Sequence, residues 1–149
     1  MRKLYRNAKK IDKFLISFLK KQKKSLLVTP MKYGIISGGK KIRSTIIFDV
    51  GKIFKISEKK LINICAAVEC IHSYSLIHDD LPCMDNDSMR RGKPSTHIKF
   101  GEASAVLAGS SLLTLAFEII TDDNYSLNSK SKNEIVRSLA SCSGHTGIA

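Results

Sequence analysis

The stretch LINICAAVECIHSYSLIHDD, residues 61–80, decides the fold. Its apolar residues do not keep to one stripe but occur nearly all round a 3.6-residue turn, the pattern of a helix enclosed by others. Ser57 stands before it as a capping residue. Glu69, inside this apolar run, needs a partner and reads as one member of a buried pair.

Working outward, the flanking segments are helical too. Leu4, Ala8, Ile11, Leu15 and Phe18 recur at steps of three and four, one apolar stripe among lysines. Lys20, Lys21, Lys23 and Lys24 follow, favourable at a helix C-terminus. Thr29-Pro30 reads as a helix start, a capping hydroxyl and then proline at the first helical position. That helix is interrupted at Gly38-Gly39 and resumes through Ile42, Ile46, Ile47, Val50 and Ile53. Downstream, residues 101–120 carry small residues densely (Gly101, Ala103, Ser104, Ala105, Ala108, Gly109), which suits close helix packing. Its apolar core, 103–117, is too short for a membrane span and reads as buried. Ser131 and Glu134 form a capping box for a last helix. With no strand alternation and no repeat, the class is an all-α bundle.

Composition narrows the function. The chain has 149 residues, 43% of them apolar, with mean hydropathy -0.07, which fits one globular domain. Its net charge of +12 is compatible with drift toward Lys codons, with an anionic substrate, or with nucleic acid. Only 7% of residues are aromatic and Trp is absent, so a base-stacking platform is poorly supported. Cys65, Cys70, Cys83 and Cys142 show no CxxC pairing and read as reduced core or near-core residues. The basic N-terminus lacks the apolar run of a signal peptide. The expected place is the cytoplasm, with no membrane span.

Directly after the central helix comes HDDLPCMDNDSMRRGKPSTH, residues 78–97. Four of the thirteen acidic residues (Asp79, Asp80, Asp85 and Asp87) fall within nine positions, followed at once by Arg90, Arg91 and Lys93. Carboxylates held close repel unless a cation lies between them. Hard oxygen donors suit Mg2+, which typically takes one or two carboxylates plus substrate phosphates. Asp79 and Asp85 are six residues apart and would diverge on a continuous helix, but Pro82 breaks the turn and lets Asp85 swing back. The plainer alternative is a loop whose acids and bases neutralise each other. Guanidinium forks suit phosphate oxygens, and GGKKIR (38–43) adds Lys40 and Arg43, although it is no P-loop. His72 lies two helical turns before Asp79 on the same face, where it is either packed in the core or part of the site.

YGIISGGKKIR (33–43), AAVECIHSYSLIHDDLPCMDNDSMRRGKPSTH (66–97) and KFGEASAVLAG (99–109), in that order and spacing, resemble the trans (E-type) polyprenyl diphosphate synthases. The four residues between Asp80 and Asp85 are most similar to the bacterial farnesyl branch. The resemblance implies the N-terminal part of an isoprenoid-synthase bundle and a transferase of the dimethylallyl- or geranyltranstransferase type. It would condense an allylic diphosphate with isopentenyl diphosphate to give farnesyl diphosphate. It also implies that Asp79, Asp80 and Asp85 hold Mg2+, two or three ions in a complete site. Arg90 would contact the allylic diphosphate, and Lys40, Arg43, His72 and Arg91 would hold isopentenyl diphosphate. Tyr74, with Ser75, would set product length as a bulky floor, and no separate catalytic residue is assigned. The full-length form would be a homodimer. A geranylgeranyl synthase, a non-catalytic relic or partner subunit, and a small basic nucleic-acid-binding protein are the alternatives.

Two departures stand out. The family pattern has proline after the GGKxxR arginine, where this chain has Ser44. The family also carries a second aspartate-rich motif and a lysine further downstream. Residues 1–149 are therefore expected to form a single incomplete domain, inactive alone.

Overall fold

The computed structural model describes residues 2–148. Its elements run α1 (Arg2–Lys21), α2 (Val28–Ile35), α3 (Ile42–Ile53), α4 (Glu58–Asp79), β1 (Met89–Arg90), β2 (Lys93–Pro94), α5 (Thr96–Phe100), α6 (Glu102–Thr121) and α7 (Ser129–Ser143). The all-α class holds. The one departure is a two-residue antiparallel ribbon, Arg90 facing Lys93, directly after the acidic loop.

α4 is the central element, packed on α6 most extensively and also on α1, α2 and α3. Its buried residues include Leu61, Cys65, Ala66, Ala67, Cys70, Ile71 and Ile77, on enough of its circumference to explain the absence of a single apolar stripe. Ala105, Ala108 and Gly109 of α6 are buried, and their small size lets the two axes approach. At Gly109 an added methyl would run into the His78 ring. Asn63 donates from Nδ2 to the Ile119 carbonyl across this contact at 3.0 Å.

Several boundaries differ from the sequence reading. α2 begins before Thr29, with Leu27 at the cap position and no side-chain cap. Ser57 does stand at the α4 N-cap in extended conformation, but its hydroxyl makes no capping bond. α7 is capped by Asn128, whose Oδ1 accepts from the Ser131 amide at 2.8 Å, so Ser131 lies inside the helix and not at its start. The length argument against a membrane span also needs correction. α4 and α6 are both long and apolar enough to cross a membrane. Their apolar windows are, however, 50% and 44% buried inside the fold, as expected of core helices. Cys65 and Cys70 are buried as anticipated, whereas Cys83 and Cys142 are exposed, because one sits on the acidic loop and the other on the open face of α7.

Candidate active site

α4 ends where Pro82 approaches. The amides of Leu81, Met84 and Asn86 bond to the carbonyls of His78, Leu81 and Leu81, and the Asp85 amide donates to the Asp79 carbonyl at 2.8 Å. The chain thus curls back on the helix end and returns Asp85 to Asp79, as the proline suggested. Neither the Asp79 nor the Asp85 side chain is engaged in a hydrogen bond or ion pair among the described residues. They are hard oxygen donors left open at the rim of the site, which fits the one or two carboxylates that Mg2+ takes from protein. No group of three or more His, Cys, Asp or Glu side chains converges among the described residues.

Asp80 behaves differently. It is 2% exposed and accepts from Arg90 Nε at 2.7 and 2.8 Å, and from Arg90 Nη2 as well. Arg90 Nη2 also lies 3.5 Å from Asp87 Oδ2. The Asp80 hydrogen bonds, ahead of the cost of burial, push the guanidinium pKa further up. Of the three aspartates expected on metal, Asp80 is therefore occupied internally, and among the described residues Arg90 has only Nη1 left without a partner.

The ribbon turns through Arg91 (φ 53°) and Gly92 (φ 74°). Positive φ at both central residues is the two-residue turn whose twist matches a hairpin. Arg91 is thereby thrown across to the α2–α3 loop, where Nη1 donates to the Gly38 carbonyl and lies 3.4 Å from Ser37 Oγ. Gly39 (φ 103°) faces this guanidinium so closely that a side chain there would collide with it. Tyr33 Oη, from α2, donates to the Pro94 carbonyl at 2.7 Å and ties the ribbon down.

These contacts close a small pocket of about 100 Å³ whose lining includes Lys40, Arg43, His72 and Arg91. Three separate segments thus bring together the four residues expected at isopentenyl diphosphate, with Lys41 and Glu69 also on the pocket lining. Arg43 Nη1 and His72 Nε2 are 3.4 Å apart. Burial, and then Arg43, lower the imidazole pKa below its usual 6.5. A neutral His72 can accept or donate one hydrogen bond at the pocket wall.

Beside this pocket runs a larger apolar groove of about 430 Å³, lined by His72, Ser75 and Asp79 of α4, by Arg43 of α3, and by Leu139, Cys142 and Ile148 from the C-terminal region. Ser75 is four residues before Asp79, about 40° away on the helix, and shares its face. Tyr74 is five before, about 140° away, and lies outside this groove. It packs edge-on against His78 with ring centroids 4.8 Å apart, while His78 Nε2 is 3.0 Å from the Val106 carbonyl of α6. The far wall from α7 was missed in the sequence, which gave that helix no site residue.

The sequence pattern of the polyprenyl synthetase family matches residues 24–146. The chain belongs to this family. Across 123 residues it is 48% identical to farnesyl diphosphate synthase of Escherichia coli (strain K12), covering 82% of this chain and 41% of that protein. It is 44% identical to a chloroplastic geranylgeranyl pyrophosphate synthase of Catharanthus roseus, covering 79% of this chain and 33% of the relative. The crystal structure of an FPP/GFPP synthase from Zymomonas mobilis superposes with a TM-score of 0.91 at 39% identity, over 97% of this chain and 52% of the other. The chain therefore spans about half the length, or less, of the relatives it matches.

Proposed function

We propose that this chain supplies the diphosphate-binding half of a Mg2+-dependent prenyl transferase that condenses dimethylallyl or geranyl diphosphate with isopentenyl diphosphate to give farnesyl diphosphate. The observation that carries the reading is the convergence of Lys40, Arg43, His72 and Arg91 on one pocket, two helical turns along α4 from Asp79. Seven residues of helix separate the two anionic subsites by about 10 Å. Two diphosphates can therefore be anchored apart while their carbon ends meet in the groove. Lys40, Arg43 and Arg91 neutralise isopentenyl diphosphate and hold it in register, with His72 contributing a hydrogen bond.

Asp79 and Asp85 would hold Mg2+, two or three ions in a complete site, with Arg90 Nη1 toward the allylic diphosphate. Magnesium, when bound, supplies Lewis-acid charge to the departing diphosphate. Arg90 stabilises the same charge as the allylic carbon–oxygen bond breaks, an interaction strongest once the bond has opened. The isopentenyl double bond then attacks the allylic cation, and loss of a proton completes a chain longer by one five-carbon unit. We place Asp80 behind Arg90 as its orienting partner, because its carboxylate is already engaged. Ser75 rather than Tyr74 faces the tail groove, so product length is proposed to depend on Ser75. A geranylgeranyl product is the second reading, favoured by the small side chain at that position.

The chain is proposed to work as one incomplete domain in the cytoplasm, where its four free cysteines stay reduced. Exposed Ile98, Val106 and Leu107 offer an apolar surface to a second copy in a homodimer. Residues 1–149 alone are expected to bind isopentenyl diphosphate without turning it over, since one face of the groove lies open. Calorimetric titration of isopentenyl diphosphate, paired with a prenyl-transfer assay, tests this. Saturable binding that Arg43→Ala abolishes supports the reading, whereas no binding, or binding indifferent to Arg43, contradicts it.

A further inference from the structure

At the floor of the cationic pocket, whose lining also includes Lys41 and Glu69, lies a buried polar network that the proposed reaction does not use. Lys41 carries a left-handed backbone (φ 46°, ψ 52°) at the start of α3, a conformation that a residue with a Cβ adopts rarely and at a cost. Its side chain is 3% exposed. It turns inward, away from solvent. Nζ donates to the Ile35 carbonyl at the end of α2 at 2.8 Å. It also lies 3.5 Å from Asp12 Oδ1 of α1 and 3.7 Å from Glu69 Oε2 of α4. Asp12 Oδ1 is buried with no hydrogen-bond partner, so its attraction to Lys41 is one of charge. Glu69 is 3% exposed, and its Oε1 accepts from Ser44 Oγ at 2.7 Å. Ser44, fully buried, also reaches the Cys65 carbonyl at 3.3 Å.

We infer that Lys41, Glu69 and Ser44 are positioning residues that fix the Gly38–Arg43 loop, so that Lys40 and Arg43 face the diphosphate pocket while the Lys41 ammonium is tied down at the pocket floor. The inference rests on the reading of that pocket as the isopentenyl diphosphate site. Four helices meet at one ammonium group. Uncompensated, a buried Lys beside Arg43 and Arg91 would crowd like charges, and a buried Glu alone would be equally unfavourable. Paired, they hold the left-handed turn in place, and Arg43 follows two residues later. Ser44 contributes a donor that a proline at this position could not. The backbone itself tolerates proline there, because residue 44 lies in the first turn of α3, where an amide has no partner within the helix.

The test titrates inorganic diphosphate and isopentenyl diphosphate into the 149-residue chain, with far-ultraviolet melting of every variant. Arg43→Ala addresses the pocket itself. Lys41→Met is expected to weaken binding of both ligands about tenfold while the chain remains folded, and Lys41→Arg to restore it to within about twofold, because charge and reach are kept. Ser44→Pro, the milder change, is expected to weaken binding about threefold with helical content unchanged. Wild-type affinity in folded Lys41→Met, or in Ser44→Pro should the first variant not fold, overturns the inference. If Arg43→Ala binds as tightly as wild type, or wild type does not bind, the reading of the pocket fails and takes the inference with it.

Discussion

Replacing Asp80 by Asn separates the two roles its position suggests. In the structure Asp80 is the internal partner of Arg90, accepting from both Nε and Nη2. Removing one member of a buried ion pair costs about 3–5 kcal/mol, because the other charge is left without compensation. Arg90 keeps 28% of its side chain exposed and has Asp87 at 3.5 Å, so it can turn partly to water. Asparagine also retains one acceptor oxygen. The cost therefore falls to about 2–3 kcal/mol. For a domain of this size each kcal/mol lowers the melting midpoint by roughly 2–4 °C. Asp80→Asn should thus melt about 4–12 °C below wild type, followed by circular dichroism at 222 nm. Asp85→Asn, which breaks no bond and stands in the open, should stay within about 0.5 kcal/mol yet lose Mg2+-dependent ligand binding. An Asp80→Asn protein that melts like wild type while losing Mg2+ dependence would refute this assignment and return Asp80 to the metal.

Other outcomes follow from single contacts. Gly109→Ala should lose about 1–3 kcal/mol of stability in denaturant unfolding, since its methyl meets the His78 ring; an unchanged midpoint would show that α4 and α6 yield freely there. Burial raises the Cys65 thiol to about 12, and Cys70 higher still, so a thiol reagent on the native chain should modify Cys83 and Cys142 alone, as read by mass spectrometry of tryptic peptides. His72 sits below its usual 6.5, so the unfolded chain binds more protons in that window and stability should fall as pH drops from about 6.5 through the folded value. Diphosphate bound against Arg43, Arg91 and Lys40 reverses the local field. The His72 midpoint, followed by NMR of its ring protons, should therefore rise on adding ligand, and a static midpoint would remove His72 from the site.

The helices were legible because their information is local. The all-round apolar pattern of 61–80 and the small residues of 103–109 each specify a neighbour without naming it, and α4 against α6 is the result. The cationic pocket was legible in part: Arg43, His72 and Arg91 are far apart in sequence, and family resemblance rather than spacing joined them. Two adjacent lysines in GGKKIR look alike on paper. Only the left-handed backbone at Lys41 and the position of Asp12 decide that one is buried and the other exposed. The Asp80–Arg90 pair was not legible for a related reason, since nothing in a run of aspartates says which carboxylate an arginine ten residues later will claim. Tyr74 and Ser75 differ by one residue, yet the 100° step between them sends one against the His78 ring and the other to the groove.

The most direct test of the central claim is calorimetric titration of a non-ionising allylic diphosphate analogue, geranyl S-thiolodiphosphate, into the chain with and without Mg2+. The account predicts saturable binding that Mg2+ strengthens, a gain lost in Asp79→Ala and retained in Tyr74→Ala. Binding of equal strength without the metal, or undiminished in Asp79→Ala, would contradict it.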